Sequence, residues 1–190
     1  HTIPPHMVNY RANIWALHDK DVKHIVAVAA VGGIHADISP TKIVIPEQII
    51  DYTYGRQHTY FEKDLSQVKH IDFSNPYDQA MRENLIKAAE LAEIDAFQGG
   101  VYGATQGPRL ETAAEINKLE RDGCDIVGMT GMPEAALARE LEIGYAHCAM
   151  SVNWAAGRSE ELITLDSIRE CTDVGMEKVR CLLAKLMEIV

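Results

Sequence analysis

The stretch Cys124–Ala156 constrains the fold of this chain more than any other, because two apolar runs flank a helical segment within it. Asp125–Met129 is short and typical of a strand, and Tyr145–Val152 is a second apolar run. The segment Pro133–Leu141 is rich in Ala and Leu and opens with Pro-Glu, which predicts a helix, with Gly144 supplying its stop. Strand, helix and strand at this spacing predict a βαβ unit whose two strands run parallel in one sheet.

Polar residues follow both predicted strands. Met129-Thr130 comes after the first strand, and Asn153 closes the second. Because the carboxyl ends of parallel strands meet at one edge of a sheet, and open α/β sheets bind small ligands at that edge, we expect a ligand site here. An ordinary structural unit, in which Thr130 caps the helix and Asn153 lies in a loop, fits the same pattern equally well.

The rest of the chain alternates between the two kinds of element, which predicts a single α/β domain over residues 1–190. The polar segment Tyr54–Pro76 is a long irregular loop, and such loops are usually functional or form interfaces. Helices are predicted at Asn9–Leu17, Asp78–Leu91, Thr112–Arg121 and after Thr164, and strands at His24–Val31, Thr41–Pro46, Gln48–Thr53 and Gly99–Thr105.

Charge and composition exclude several classes of partner. The net charge of −10 over 190 residues argues against nucleic acid, which requires a basic face. No apolar run reaches the length of a membrane span. The four cysteines and eight histidines show no metal-binding spacing, so no metal site is expected. Unpaired thiols are typical of the reducing cytoplasm, which is the expected location.

Several motifs together point to one family. GMTGMPEAALARE at 128–140 and VNWAAG at 152–157 are accompanied by HTIPPHMVNYRANIWAL at 1–17, VGGIHADISPTKIVIPEQIIDYT at 31–53 and GATQGPRLETAAEI at 103–116. They resemble the trimeric branch of the purine nucleoside phosphorylase and methylthioadenosine phosphorylase family, over essentially the whole chain. The resemblance implies a central mixed, mostly parallel sheet flanked by helices, and a homotrimer.

The resemblance also implies roles for the residues at the strand ends. Met129 would contact the pentose and Thr130 the phosphate. Asn153 would read the purine, with Trp154 and Ala155 beside it in the substrate-binding segment.

Two further positions carry implied roles. The family binds phosphate at the end of an early strand through a Thr or Asn followed by an Ala; here the pair is Ala29-Ala30, so only the backbone N–H could serve at Ala29. His70 matches a residue that reaches into the pentose site of the neighbouring subunit. A solvated loop histidine is the simpler alternative for His70.

Phosphorolysis displaces the purine from C1′ with inorganic phosphate, so charge developing on the base must be stabilised. The Asn153 amide can donate to O6 and accept from N7–H, which makes it the candidate catalytic residue. Glu111, next to Leu110, would accept from the N1–H of a 6-oxopurine, whereas adenine has no N1–H. A 6-oxopurine is therefore expected.

The opposite end of the nucleoside is predicted to be apolar. Members that accept ribosides place a histidine near the 5′-hydroxyl, and here Leu165 or a neighbour occupies that place, with Ile168 one turn on. A 5′-methylthio group would bury favourably there, although simple core packing explains both residues equally. The expected reaction is phosphorolysis of S-methyl-5′-thioinosine to hypoxanthine and 5-methylthioribose 1-phosphate, in purine salvage, with phosphate as co-substrate and no cofactor.

Alternatives stay open at this stage. They are an inosine/guanosine phosphorylase, a methylthioadenosine phosphorylase, a nucleosidase that uses water, and a truncated purine-binding form without turnover. The last arises because the resemblance implies a strand, a glycine-rich phosphate loop and an Arg-His pair upstream of the segment that matches His1–His6. We therefore expect a domain truncated at its N-terminus.

Overall fold

The computed structural model describes residues 2–63, 65–160 and 162–190. Within these residues seven strands and five α-helices alternate, after a 3₁₀ turn at Pro5–Met7. The strands are β1 (His24–Gly33), β2 (Ile43–Ile45), β3 (Gln48–Asp51), β4 (Ala96–Gln98), β5 (Val101–Ala104), β6 (Ile126–Gly128) and β7 (Gly144–Trp154). The helices are α1 (Tyr10–His18), α2 (Gln79–Leu91), α3 (Ala113–Arg121), α4 (Glu134–Glu140) and α5 (Leu165–Leu186).

The strands form one curled sheet in the order β3-β5-β6-β1-β7-β2-β4. Its centre is the long parallel pair β1–β7, which runs from His24 opposite Gly144 to Gly33 opposite Trp154. The pairs β2–β4, β3–β5 and β5–β6 are also parallel, whereas β1–β6 and β2–β7 are antiparallel. The predicted mixed, mostly parallel sheet is confirmed.

The core lies on both faces of this sheet, because alternate residues of β7 point to opposite sides. Tyr145 and Ala149 join a cluster that includes residues of α1 and α4. Cys148 and Met150 join a second cluster with residues of α2 and α5. The helices begin where the sequence indicated, since the side chains of Asn9, Asp78, Thr112 and Thr164 each accept a capping hydrogen bond. No helix among the described residues is both long and apolar enough to cross a membrane.

The predicted parallel βαβ unit is wrong. β6 and β7 are not neighbours, because β1 lies between them, and they run in opposite directions. β6 is aligned by its parallel pairing with β5, and it meets β1 only at Gly32 and Gly33, where the register of β1 shifts. Strand direction is thus set by partners distant in sequence, which a local pattern does not report.

Three smaller features of the structure were not predicted from the sequence. α4 is stopped by Glu142, which takes a left-handed backbone with φ of 58°, while Gly144 is the first residue of β7. The short strand β4 was not predicted, since three residues are too few for a periodic signal. Gly33 is needed for packing within the chain, because the carbonyl oxygen of Ile38 occupies the space where its Cβ would lie.

Candidate active site

A cavity of about 580 Å³ lies where the carboxyl ends of β1 and β7 meet the end of β6, with one face of α5 closing it. Met129-Thr130 runs back alongside the end of β1, since β6 is antiparallel to β1. The cavity therefore lies where the sequence predicted a ligand site, although its strands approach from opposite directions. Of the residues predicted for the site, the cavity is lined by Ala29, Ala30, Leu110, Glu111, Met129, Thr130, Asn153, Ala155 and Ile168.

Three predicted residues do not line this cavity. Trp154 is the last residue of β7 and pairs with Gly33. Leu165 is 72% exposed on the first turn of α5, so its predicted place in the pocket is not supported. The wall is formed instead by Ile163, before the N-cap, and by Ile168, one turn into the helix. His70 lies exposed in the long loop, and its predicted role in a neighbouring subunit stays a prediction.

Asn153 faces the cavity from the penultimate position of β7. Its Nδ2 donates to the carbonyl oxygen of Trp154 at 2.6 Å, which holds the amide in one orientation. An amide carries two N–H hydrogens and one carbonyl oxygen. One N–H and Oδ1 therefore remain to donate to one ligand atom and accept from another.

Glu111 enters from the turn between β5 and α3. The hydroxyl of Thr105 donates to its Oε1 at 2.6 Å, which leaves Oε2 to accept from a ligand. Arg109 is held elsewhere, because both of its terminal nitrogens bond the Glu115 carboxylate, at 2.8 and 2.7 Å. Those hydrogen bonds lower the pKa of Glu115 to about 2. Glu115 is therefore ionised, and its charge and that of Arg109 are paired with each other.

Thr130 is held from beneath by a buried tyrosine on β5. The Tyr102 Oη lies 3.1 Å from Thr130 Oγ1 and accepts the Thr130 backbone N–H at 3.2 Å. Burial raises the pKa of Tyr102 to about 12, so this hydroxyl stays protonated. The backbone of Ala29 and Ala30 lines the same cavity.

Arg56 joins the two loops that carry the site, a role that the sequence analysis missed. It is 6% exposed, and it donates to the carbonyl oxygen of Met132 at 2.6 Å, beyond Thr130. Its other terminal nitrogen donates to the carbonyl oxygens of Thr105 and Gln106, both at 3.1 Å. The sequence offered no signal for it, because a single arginine in a polar loop is normally solvated.

The wall contributed by α5 is largely apolar. Ile168, Thr172 and Met176 line it at intervals of four residues, the spacing that places side chains on one helix face. The Thr172 hydroxyl donates to the carbonyl oxygen of Ile168 at 2.7 Å, so it can offer a ligand only an acceptor. This spacing could have identified Thr172 and Met176, which the sequence analysis did not name.

The residues that line the cavity favour an organic ligand. In the part of the chain that the structure describes, no three His, Cys, Asp or Glu side chains come together as metal ligands. The cavity instead combines an amide, a carboxylate, a hydroxyl and an apolar wall. Such a site can bind a small molecule that is polar at one end and apolar at another.

An α/β fold with a small-molecule cavity at its strand ends is a common enzyme architecture. Residues 1–188 match the profile of the Phosphorylase superfamily, and the chain belongs to this family. The family predicted from the sequence is thereby confirmed.

Named relatives agree with this assignment. The chain is 57% identical over 188 residues to a probable S-methyl-5′-thioinosine phosphorylase of Pseudomonas syringae pv. tomato, covering 98% of this chain and 76% of the relative. It is 44% identical over 184 residues to the 6-oxopurine nucleoside phosphorylase of Pyrococcus furiosus, covering 94% and 69%. A methylthioadenosine phosphorylase from Schistosoma mansoni, solved in complex with adenine, superposes with a TM-score of 0.94 at 32% identity, covering all of this chain and 73% of that one.

Proposed function

We propose that this protein is a pentosyltransferase that catalyses phosphorolysis of S-methyl-5′-thioinosine, giving hypoxanthine and 5-methylthioribose 1-phosphate. One observation carries the proposal: a single cavity joins Asn153 and Glu111 to the apolar wall of α5. The relatives named as S-methyl-5′-thioinosine and 6-oxopurine nucleoside phosphorylases support it.

Asn153 and Glu111 recognise the base. The free N–H of Asn153 donates to O6, and its Oδ1 accepts from N7–H once N7 has taken up a proton from solvent. The bond to O6 strengthens as negative charge moves onto the purine, and the bond to Oδ1 stabilises the base once N7 is protonated, so Asn153 assists departure of the base. Glu111 Oε2 accepts from N1–H. Adenine presents a lone pair at N1, and a carboxylate facing it would be repelled, which disfavours adenine nucleosides.

Phosphate attacks C1′ as the bond to N9 breaks, and the pentose is cationic in the transition state. Thr130 and the backbone at Ala29 and Ala30 bind the phosphate, and Met129 contacts the pentose. The phosphate dianion supplies the nucleophile and also stabilises the sugar cation, so the reaction needs no further cofactor.

The apolar wall selects the 5′ substituent. A methylthio group against Ile168 and Met176 leaves water at a gain of about 25 cal/mol per Å² buried. A 5′-hydroxyl in the same place loses its water and finds few partners. The enzyme therefore favours the thioether.

The test is whether base release depends on phosphate. Methylthioinosine is incubated with the protein that carries this chain, with and without inorganic phosphate. The release of hypoxanthine and the phosphorus NMR spectrum are followed over time. We expect hypoxanthine only with phosphate, in step with a new sugar 1-phosphate resonance. Release at the same rate without phosphate would identify a nucleosidase, and the absence of release with intact purine binding would identify a non-catalytic form.

Inosine phosphorolysis is the second candidate, and Thr172 is the observation that favours it. Its oxygen could accept a hydrogen bond from a 5′-hydroxyl, because its own hydrogen is used by Ile168. Ile168→His would add a second partner and should improve inosine relative to methylthioinosine. Leu165→His, on the exposed first turn, is the matched control and should change neither substrate. Equal effects of the two variants would contradict this placement of the 5′ end.

The proposal includes a homotrimer, with the active site completed across the subunit boundary by His70. The cavity is flanked by exposed apolar side chains at Val28 and Leu110, and the long loop exposes Tyr54 and Val68. Exposed apolar groups of this kind are typical of interfaces. Sedimentation should give three chains per particle, and a fully active monomer would exclude the trimer.

We further propose that the enzyme acts in the cytoplasm. All four cysteines are free, as expected of a reducing compartment. Fractionation of the source cells should recover the protein with cytoplasmic markers, and recovery with an extracellular fraction would contradict the proposal.

A further inference from the structure

The side-chain hydroxyl of Tyr102 has one hydrogen-bonding neighbour among the described residues, and that neighbour is Thr130. The tyrosine is fully buried on β5, and its oxygen accepts the Thr130 backbone N–H. Its own hydrogen must then find an acceptor, because a buried hydroxyl left without a partner is costly. The atom within reach is Thr130 Oγ1, at 3.1 Å. When Tyr102 donates to that oxygen, the hydrogen of the Thr130 hydroxyl is free to point into the cavity.

The loop around Thr130 is shaped to the tyrosine ring. A side chain at Gly128 would overlap the Tyr102 hydroxyl. A Cβ at Gly131, whose φ is +85°, would lie 3.0 Å from Tyr102 Cε1 and 2.8 Å from His147 Cε1. Both glycines that flank Met129-Thr130 are therefore required for the loop to close over this ring.

We propose that Tyr102 is a positioning residue that holds Thr130 with its hydroxyl hydrogen directed at bound phosphate. The proposal rests on the proposed function, in which Thr130 binds the phosphate co-substrate. Tyr102 itself does not touch substrate. It fixes both the position of the Thr130 backbone and the direction in which the side chain donates.

The first test compares two tyrosine-to-phenylalanine variants in the protein that carries this chain. Tyr102→Phe keeps the ring and removes the hydroxyl. We expect the KM for phosphate to rise about tenfold, while the Kd for hypoxanthine stays within about twofold, because Asn153 and Glu111 lie on other segments. Tyr77→Phe is the control. Tyr77 is 3% exposed and its ring contacts His147, as the ring of Tyr102 does, but its hydroxyl has no hydrogen-bond partner among the described residues. A phosphate KM unchanged in Tyr102→Phe, or raised equally in Tyr77→Phe, would overturn the proposal.

A second test uses the contact between Gly128 and the tyrosine hydroxyl. Gly128→Ala alone should raise the phosphate KM, because the new methyl group displaces the hydroxyl. In the Tyr102→Phe background the same change should cost less, since the overlapping atom is gone. Additive effects of the two substitutions would count against a shared action on Thr130.

A third readout separates this proposal from the proposed function. Amide hydrogen exchange at Thr130 should be about tenfold faster in Tyr102→Phe and unchanged in Tyr77→Phe, whether or not the protein turns over any nucleoside. Unaltered exchange in Tyr102→Phe would refute the positioning role. If the unmodified protein shows no phosphate-dependent turnover while amide exchange at Thr130 behaves as expected, the proposed function is wrong but Tyr102 still positions Thr130.

Discussion

Replacing His147 by Leu should remove part of the protein's sensitivity to acid. His147 lies on β7 with 1% of its surface exposed, among the rings of Tyr77, Tyr102 and Tyr145, at centroid distances of 5.2 to 5.8 Å. Neither ring nitrogen has a hydrogen-bond partner among the described residues. Burial lowers the pKa of His147 to about 4 from an ordinary 6.5, because the charged imidazolium cannot be solvated there.

The sign of the effect follows from proton binding. Between pH 6.5 and 4 the unfolded chain binds a proton at this histidine and the folded chain does not. The free energy of unfolding therefore falls as the pH falls through this range, and above 6.5 the effect is absent. From pH 7 to pH 5 the pKa difference corresponds to a loss of about 2 kcal/mol. Glu134 works in the opposite direction, since burial raises its pKa, and it is kept in every variant compared.

Urea unfolding at pH 7, 6 and 5 measures this directly. The difference in free energy of unfolding between pH 7 and pH 5 should be smaller by about 2 kcal/mol in His147→Leu than in the parent. Tyr77→Phe, which changes a ring beside His147 and keeps the histidine, is the control and should keep the parent's pH dependence. Equal pH dependence in the parent and in His147→Leu would refute the argument from burial.

Three further predictions concern the site. Asn153→Asp combined with Glu111→Ser should raise kcat/KM for methylthioadenosine relative to methylthioinosine, because the pair then suits a 6-amino group and an N1 lone pair. A double variant that still prefers methylthioinosine would contradict the roles given to both residues. Thr105→Val should raise the KM for methylthioinosine about tenfold, because Glu111 loses the hydrogen bond that orients it, and an unchanged KM would argue against that orientation. His70→Ala should raise the nucleoside KM without altering the circular dichroism spectrum, and an unaffected KM would indicate a solvated loop histidine.

Local patterns predicted the elements and much of the candidate site. Helix starts follow from the chemistry of one side chain and its neighbours, so the starts of α3 and α5, which Thr112 and Thr164 cap, were predicted from the sequence. Met129-Thr130 and Asn153 were predicted to lie near one another because β6 and β7 were expected to be parallel strands that end at one edge of the sheet. The three residues do line one cavity, but the reason given was wrong, because the direction of β6 depends on β5 and β1 and was not predictable locally.

Residues that act through long-range contacts could not be predicted from local sequence patterns. Arg56 and Tyr102 matter because of what the fold brings to them, and neither carries a local signature. Leu165 shares a helix face with Ile168 and Thr172, which line the cavity, but it is the first residue of α5 and remains exposed. Which turn of a helix lies against a cavity depends on tertiary packing, and periodicity alone does not determine it.

The substrate preference of the protein that carries this chain tests the account most directly. The measurement is kcat/KM at saturating phosphate for methylthioinosine, methylthioadenosine and inosine. The account predicts the highest value for methylthioinosine, with hypoxanthine as the released base. A preference for methylthioadenosine of at least about tenfold would contradict the reading of Asn153 and Glu111, and a preference for inosine would contradict the assignment of the α5 wall to a methylthio group.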